Sequence, residues 1–333
     1  MNSSVKETSL TIAVDWGTSH LRAYLCEPQP QQSSSVPALK LLAVRTGEGV
    51  TKVKQGFEHE LFAVIQPWLD EFGTLPITLA GQIGSSIGWQ ETAYVSCPLA
   101  ADDVRSQTYR FTCRGYDIAI VPGATCVHDN GVRDAMRGEE LQVFGWLQQA
   151  PEHQIGEHLV CLPGTHTKWV KVSDGAIQVF KTALTGELYD MLSHQSVLIQ
   201  ERSATLDFAT FEEGVNFTLN SGSGSFCHGL FSVRSKQLFG ELTPTHSQSY
   251  LSGILIGTDV RAALNASEWD LQGRLSLQNP ALQHIQHVNP IRKVSVIGSQ
   301  QVSDCFTRAL QLAGLEVQTY NEQQITIQGF AAL

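Results

Sequence analysis

The chain of 333 residues has no run approaching the ~20 consecutive apolar residues of a membrane span, no C-x-x-C pair, and only 16% charged residues. Each absence excludes a class. Sparse charge alongside 42% apolar residues rules out a disordered or fibrous chain, and the length corresponds to roughly two globular domains. The seven cysteines (Cys26, Cys97, Cys113, Cys126, Cys161, Cys227, Cys305) are odd in number and scattered, so they read as buried small hydrophobes in a reducing cytoplasm, not as a disulfide framework. Lys and Arg number 22 against 32 Asp and Glu, and the net charge of −10 repels nucleic acid and anionic lipid; neither is expected as a partner. An anionic ligand would need a local pocket. The opening MNSSVKETSL has no basic segment followed by an apolar one, so no export signal is expected. The chain also lacks G-x-x-x-x-G-K-[ST], H-E-x-x-H and paired Cys/His spacing. Its G-x-G runs at 47 and 222 do not sit between a strand and a helix, which removes P-loop, Rossmann and structural-zinc readings.

What is present is β-type hairpins and amphipathic helices. TIAVD, WGTS and HLRAYLCE read as two short strands around a Gly-containing turn. A polar loop, PQPQQSSSVPA (28–38), separates them from a third strand at 39–45. Phe57, Leu61, Ile65, Trp68, Leu69 and Phe72 fall at helical spacing, and PITLAG (76–81) reads as a buried strand entering a Gly-rich loop. After a helix over 138–148, residues 158–180 again read strand, turn, strand, turn, strand. This repetition of form predicts two pseudo-equivalent α/β domains, 1–152 and 153–333. Leu251, Ile254 and Leu255, and then Val302, Phe306, Ala309, Leu310 and Ala313, mark amphipathic helices. KVSVIG (293–298) is a strand feeding the second of these, and NSGSGS (220–225) a surface loop.

Three junctions could gather backbone N–H groups on phosphate oxygens. In Asp15-Trp16-Gly17-Thr18-Ser19, Gly17 allows close approach, the Thr18 and Ser19 hydroxyls donate, and Asp15 can hold Mg²⁺ through water. Gly164, Thr165, His166 and Lys168 offer a second turn with an added cation. Gly298 and Ser299 end a strand before a helix N-terminus, suited to an anion or the nucleoside side of a nucleotide. Singly, each is also an ordinary β-turn or helix cap.

The order of these elements resembles the actin-like ATPase superfamily of acetate and sugar kinases, heat-shock ATPases and actin. That resemblance implies ribonuclease H-like domains facing a nucleotide cleft, and the two-domain form with its glycine-rich turns points to domain closure that excludes water. More narrowly, AVDWGTSHLRAYL (13–25), GQIGSSIGWQETAYVSCP (81–98), IVPG (120–123), DAMRGEELQVFG (134–145), LPGTHTKWV (162–170), TGELYDMLSHQSVL (185–198) and SYLSGILIG (249–257) resemble the 2-dehydro-3-deoxygalactonokinase family. The resemblance implies transfer of phosphate from Mg-ATP to the 6-hydroxyl of 2-dehydro-3-deoxy-D-galactonate. The alternatives are a superfamily phosphatase acting on ATP or polyphosphate, and a kinase of another sugar acid such as the gluconate epimer. A non-enzymatic assembly or regulatory module is disfavoured by the acidic charge and by the lack of room for a DNA-reading domain. Two departures stand out. Leu162 occupies a position where the superfamily often has an acid, leaving Asp15 to carry the metal alone, and Gly298 is followed by Ser299 where a Gly pair is usual.

Phosphoryl transfer calls for charge neutralisation and a base at the attacking hydroxyl. Asp15 is the first catalytic candidate. Glu139 and Glu140 open a helix after Arg137-Gly138, and either could be the base or simply suit a helix N-terminus. A planar guanidinium suits the substrate carboxylate, which makes Arg22 and Arg137 candidates, each with a surface ion pair as the plainer reading. Gly84, Ser85 and Trp89 could embrace the sugar or form a surface loop with a core Trp. Glu187 could bind a substrate hydroxyl or cap its helix, Lys168 could face phosphate or solvent, and His166 could be a plain turn residue. No motif specifies oligomeric state; a homodimer is one option.

Overall fold

The computed structural model describes residues 10–29, 38–201, 205–220, 226–265 and 292–333. The start of the chain, most of the 28–38 loop and residues 221–225 of the NSGSGS run lie outside the described residues. Contacts divide the chain into two compact units, one made of 1–156 with 172–179 and 322–333, the other of 157–171 with 180–321.

The first unit is built on a six-stranded sheet. Its central strand β1 (Thr11–Trp16) buries Ile12, Ala13, Val14 and Trp16, the near-continuous apolar run of a strand covered on both faces. β1 pairs antiparallel with β2 (His20–Gln29), which pairs antiparallel with β3 (Ala38–Glu48); on its other side β1 runs parallel to β4 (Ile77–Gly81). α1 (Phe57–Phe72) buries Leu61, Ile65, Trp68 and Leu69 of the stripe read from their spacing, while Phe57 is half-buried and Phe72, in the last turn, is exposed. A short sheet follows, in order β5 (Tyr94–Ser96), β8 (Gly123–Val127), β9 (Arg133–Met136); α2 (Ala101–Ser106) lies between β5 and β6 in the chain. β6 (Tyr109–Cys113) and β7 (Tyr116–Ile120) complete the large sheet, whose order is β3-β2-β1-β4-β7-β6. These strands of three to five residues escape sequence reading because none carries a long apolar run. α3 (Glu139–Leu147) ends the N-terminal stretch.

The second unit holds β10 (Glu157–Leu162), β11 (Thr167–Ser173) and β12 (Ala176–Ala183), with the tip of the β11–β12 hairpin counted with the first unit. Then come α4 (Thr185–Gln195), α5 (Phe208–Asn220), α6 (Phe226–Leu238), α7 (Ser247–Leu264), β13 (Lys293–Gly298), α8 (Gln300–Leu312) and β14 (Glu316–Asn321). The sheet order β12-β11-β10-β13-β14 repeats the β3-β2-β1-β4-β7 of the first unit, with the first strand central and parallel to the fourth in both. The duplication read from the sequence is thus topological: two α/β units repeat one strand order, as the resemblance to actin-like ATPases implies. α7 is buried around most of its circumference and not amphipathic, because it packs between helices and joins two apolar clusters.

The last helix, α9 (Glu322–Ala331), belongs to the first unit, a return that a 152/153 division does not include. It meets α3 backbone to backbone: a Cβ on Gly145 would stand 1.9 Å from the Ile325 carbonyl, and one on Gly329 2.1 Å from that of Leu141. Contact through two glycines leaves no hydrophobic periodicity to announce it.

Candidate active site

In the first unit, β1 delivers Asp15 to the edge of the Gly17–Ser19 turn. The Gly17 N–H donates to the His20 carbonyl (2.9 Å), and the segment after β3 buttresses the turn: Val50 N–H donates to Gly17 O (3.0 Å) and Thr51 Oγ1 to Thr18 O (2.8 Å). Trp16, fully buried beneath, donates from Nε1 to the Glu48 carbonyl. Thr18 and Ser19 face solvent.

Register places Arg22 directly opposite Asp15, with Nη1 3.4 Å from Oδ2, so this guanidinium serves as the partner of Asp15. Burial pushes the Asp15 carboxyl up to about 6. Arg22 pulls it back, while the charges of Glu322 and Glu139 raise it further. The Asp15 environment thus includes the first residues of α3 and α9.

The two glutamates separate. Glu140 is fully buried, and both its oxygens accept the Gly138 N–H (2.9 and 2.8 Å); burial, then the charge of Glu139, pushes its carboxyl up to about 8. Glu139 is half-buried and accepts the Arg137 N–H at 2.9 Å. Gly138 has φ +107°, and a Cβ there would stand 3.4 Å from the Gly81 Cα, so glycine is what lets α3 begin against the end of β4.

Arg137 is 6% exposed. Its Nη1 donates to Thr92 Oγ1 (2.5 Å) and its Nη2 to Thr92 O (2.9 Å), and its guanidinium lies 4.3 Å from the Tyr94 ring centre; its Nε has no hydrogen-bond partner among the described residues. Gly84 packs against the same guanidinium, and Ser85 Oγ donates to the Gln82 carbonyl. Trp89 meets Phe111 edge-on at 5.2 Å and packs on the core, half-buried rather than open to solvent.

In the second unit, the turn between β10 and β11 carries Gly164, Thr165 and His166. α4 starts against it: a Cβ on Gly186 would stand 2.3 Å from the Gly164 carbonyl, and the Glu187 N–H donates to Thr165 O (2.9 Å). His166 Nε2 and Glu187 Oε2 are 2.5 Å apart, both side chains nearly half exposed. Lys168 is buried, not solvent-facing, and donates to the His166 carbonyl. Gly298 lies beside Pro163, which brings the second and third junctions together. Next to them opens a mostly apolar cavity of about 580 Å³, bounded by the Gly164–Thr165 turn, Gly186, Tyr189, Leu255 and Phe306, within the size range of small-molecule sites.

Sequence reasoning did not identify this cavity, nor Thr92, Thr185, Glu322 and Asp259. Asp259 carried a signal, an acid inside the apolar helical pattern SYLSGILIGTDV.

Comparison with known proteins agrees along nearly the whole chain. The family model described as 2-keto-3-deoxy-galactonokinase matches residues 15–333. The Rhizobium meliloti (strain 1021) protein named "Probable 2-dehydro-3-deoxygalactonokinase DgoK1" is 30% identical over 329 residues, 96% of this chain and 95% of that one. The 2-dehydro-3-deoxygalactonokinase of Escherichia coli (strain K12) is 33% identical over 260 residues, 76% and 80% of the two chains. A crystal structure of a Sinorhizobium meliloti protein assigned as a 2-dehydro-3-deoxygalactonokinase superposes with a TM-score of 0.75 at 28% identity, covering 97% of each chain. The chain belongs to the 2-keto-3-deoxy-galactonokinase family.

Proposed function

We propose that the protein is a cytoplasmic sugar-acid kinase that uses Mg-ATP to phosphorylate the 6-hydroxyl of 2-dehydro-3-deoxy-D-galactonate, a step of galactonate breakdown. Family membership supports the reaction and the acceptor. The observation that carries the use of a nucleotide is in the second unit, where an apolar cavity of about 580 Å³ has a Gly-Thr turn in its wall. A nucleoside fits the cavity and its phosphates the turn, where Gly164 and Thr165 bring backbone close and Lys168 adds buried positive charge nearby. No helix among the described residues is long and apolar enough to cross a membrane, in keeping with small soluble substrates.

Asp15 suits Mg²⁺. No group of three or more His, Cys, Asp or Glu side chains among the described residues could cage a metal, but Mg²⁺ is ordinarily held by one or two carboxylates together with water and substrate phosphates. Bound there, Mg²⁺ would neutralise phosphate charge. Arg22 keeps Asp15 ionised and aligned. Glu139, half-buried at the start of α3, takes the proton of the attacking hydroxyl, whereas Glu140, buried and turned onto Gly138, sets the α3 terminus. Arg137, with Gly84 beside it, provides the positive wall for the sugar-acid carboxylate, Ser85 follows in the same loop, and Trp89 backs the loop from the core.

The test is ADP release from Mg-ATP with 2-dehydro-3-deoxy-D-galactonate, with the gluconate epimer, and without acceptor. Acceptor-dependent ADP formation, lost on the order of 10²-fold or more in Asp15→Asn, is expected. ADP formed equally without acceptor would replace the kinase by a phosphatase.

A further inference from the structure

The second unit contains a buried carboxylate that none of the proposed steps uses. Asp259, on α7, is 7% exposed, and its two oxygens take two neutral donors: Trp169 Nε1 gives 2.8 Å to Oδ1, and Thr185 Oγ1 gives 2.5 Å to Oδ2. Burial raises its pKa, and the Thr185 hydroxyl, the Trp169 indole and the Thr167 hydroxyl draw it back down. A carboxylate with only neutral partners is an unfavourable way to fill an apolar helix contact, since apolar residues of the same volume would serve stability at least as well. Its partners show what it holds in place. Trp169 stands on β11, the strand leaving the Gly164–Thr165 turn, and Thr185 is the first residue of α4, whose next two residues rest on that turn. α4 has no side-chain N-cap bond, so the Thr185–Asp259 hydrogen bond is the side-chain tether of its N-terminus, beside the backbone bond from Glu187 N–H to Thr165 O. One helical turn before Asp259, Leu255 and Ile256 of the same α7 line the cavity.

We propose that Asp259 is a positioning residue for the nucleotide phosphates: acting through Thr185 and Trp169, it fixes the Gly164–Thr165 turn from both sides and sets its distance from the cavity that α7 also lines. The proposal rests on the reading of this unit as the nucleotide-binding one. It separates the two halves of the ligand. Much of the nucleoside wall, including Leu206, Leu255, Ile256, Val302 and Phe306, lies off α4, whereas the phosphates contact the turn on which the tethered start of α4 rests.

The experiment compares dissociation constants of ATP and adenosine by calorimetry for the full-length protein and for Thr185→Val, which removes the hydroxyl at constant shape. Losing one hydrogen bond to a buried carboxylate should weaken ATP about tenfold and leave adenosine within about twofold, with a lowered Tm. Thr185→Ser, which restores the donor, should recover the ATP-to-adenosine ratio. Asp259→Asn should preserve most of it as well, its carbonyl accepting from Trp169 while its amide donates to Thr185. A Thr185→Val protein with lowered Tm but the wild-type affinity ratio makes the tether purely structural and overturns the proposal alone. Wild-type protein that binds neither ligand overturns the nucleotide reading and this proposal with it.

Discussion

Asp15 and Arg22 face each other across the β1–β2 ladder, with the guanidinium 3.4 Å from the carboxylate and drawing its pKa down against burial. Activity that needs ionised Asp15 falls as pH drops through that pKa. Removing Arg22 raises the pKa, so Arg22→Gln should move the acid limb of the kcat/KM profile from around pH 6 to higher pH. KM for the sugar acid measured well above that limb should stay unchanged. A raised KM with an unmoved limb would instead make Arg22 a ligand of the substrate carboxylate.

Glu139 and Glu140 are adjacent in sequence but differ in exposure, which yields opposite expectations. Glu139→Gln should lower kcat by about 10² to 10⁴ with little change in KM for ATP or in Tm, the signature of a lost general base. Comparable kcat for the variant and the wild type would remove Glu139 from the chemistry.

Glu140 governs stability. Its carboxyl, raised to about 8 in the folded protein from an ordinary value near 4.5, retains a proton that the unfolded chain releases between those two pH values. The folded state therefore binds more protons, and stability falls as pH rises across that window, by about 1.4 kcal/mol per pH unit for a single group. Glu140→Gln should flatten this slope, so denaturant titrations at pH 5 and pH 8 should differ less in the variant. A variant slope equal to that of the wild type would show that Glu140 does not titrate there.

The turns were legible because their chemistry is local: a strand, a Gly with hydroxyl neighbours and a return strand lie within a few residues, as at Asp15–Ser19 and Gly164–Lys168. What was not legible is long-range. Arg137 finds Thr92 across 45 positions, and Asp259 finds Thr185 and Trp169 across 74 and 90, pairings that no window of sequence contains. The return of α9 was hidden for a different reason, since Gly145 and Gly329 make their contact by lacking side chains. The difference in burial between Glu139 and Glu140 was hidden as well, because helix position alone gives both an acid-favouring first turn.

Gly164 and Gly186 distinguish ligand approach from packing. A Cβ on Gly164 would meet nothing nearer than the His166 carbonyl at 4.0 Å, whereas one on Gly186 would stand 2.3 Å from the Gly164 carbonyl and 2.9 Å from the Thr165 Cα. Gly186→Ala therefore forces α4 and the turn apart, and should lower stability by about 1–3 kcal/mol while raising KM for ATP. Gly164→Ala adds its methyl where protein leaves room, so Tm should stay close to wild type. Its KM for ATP should rise nonetheless, because the methyl occupies the space through which a phosphate oxygen reaches the turn backbone. Measured together, the two variants give a clear outcome: a Gly164→Ala protein with wild-type Tm and wild-type KM would mean that phosphate does not approach this turn.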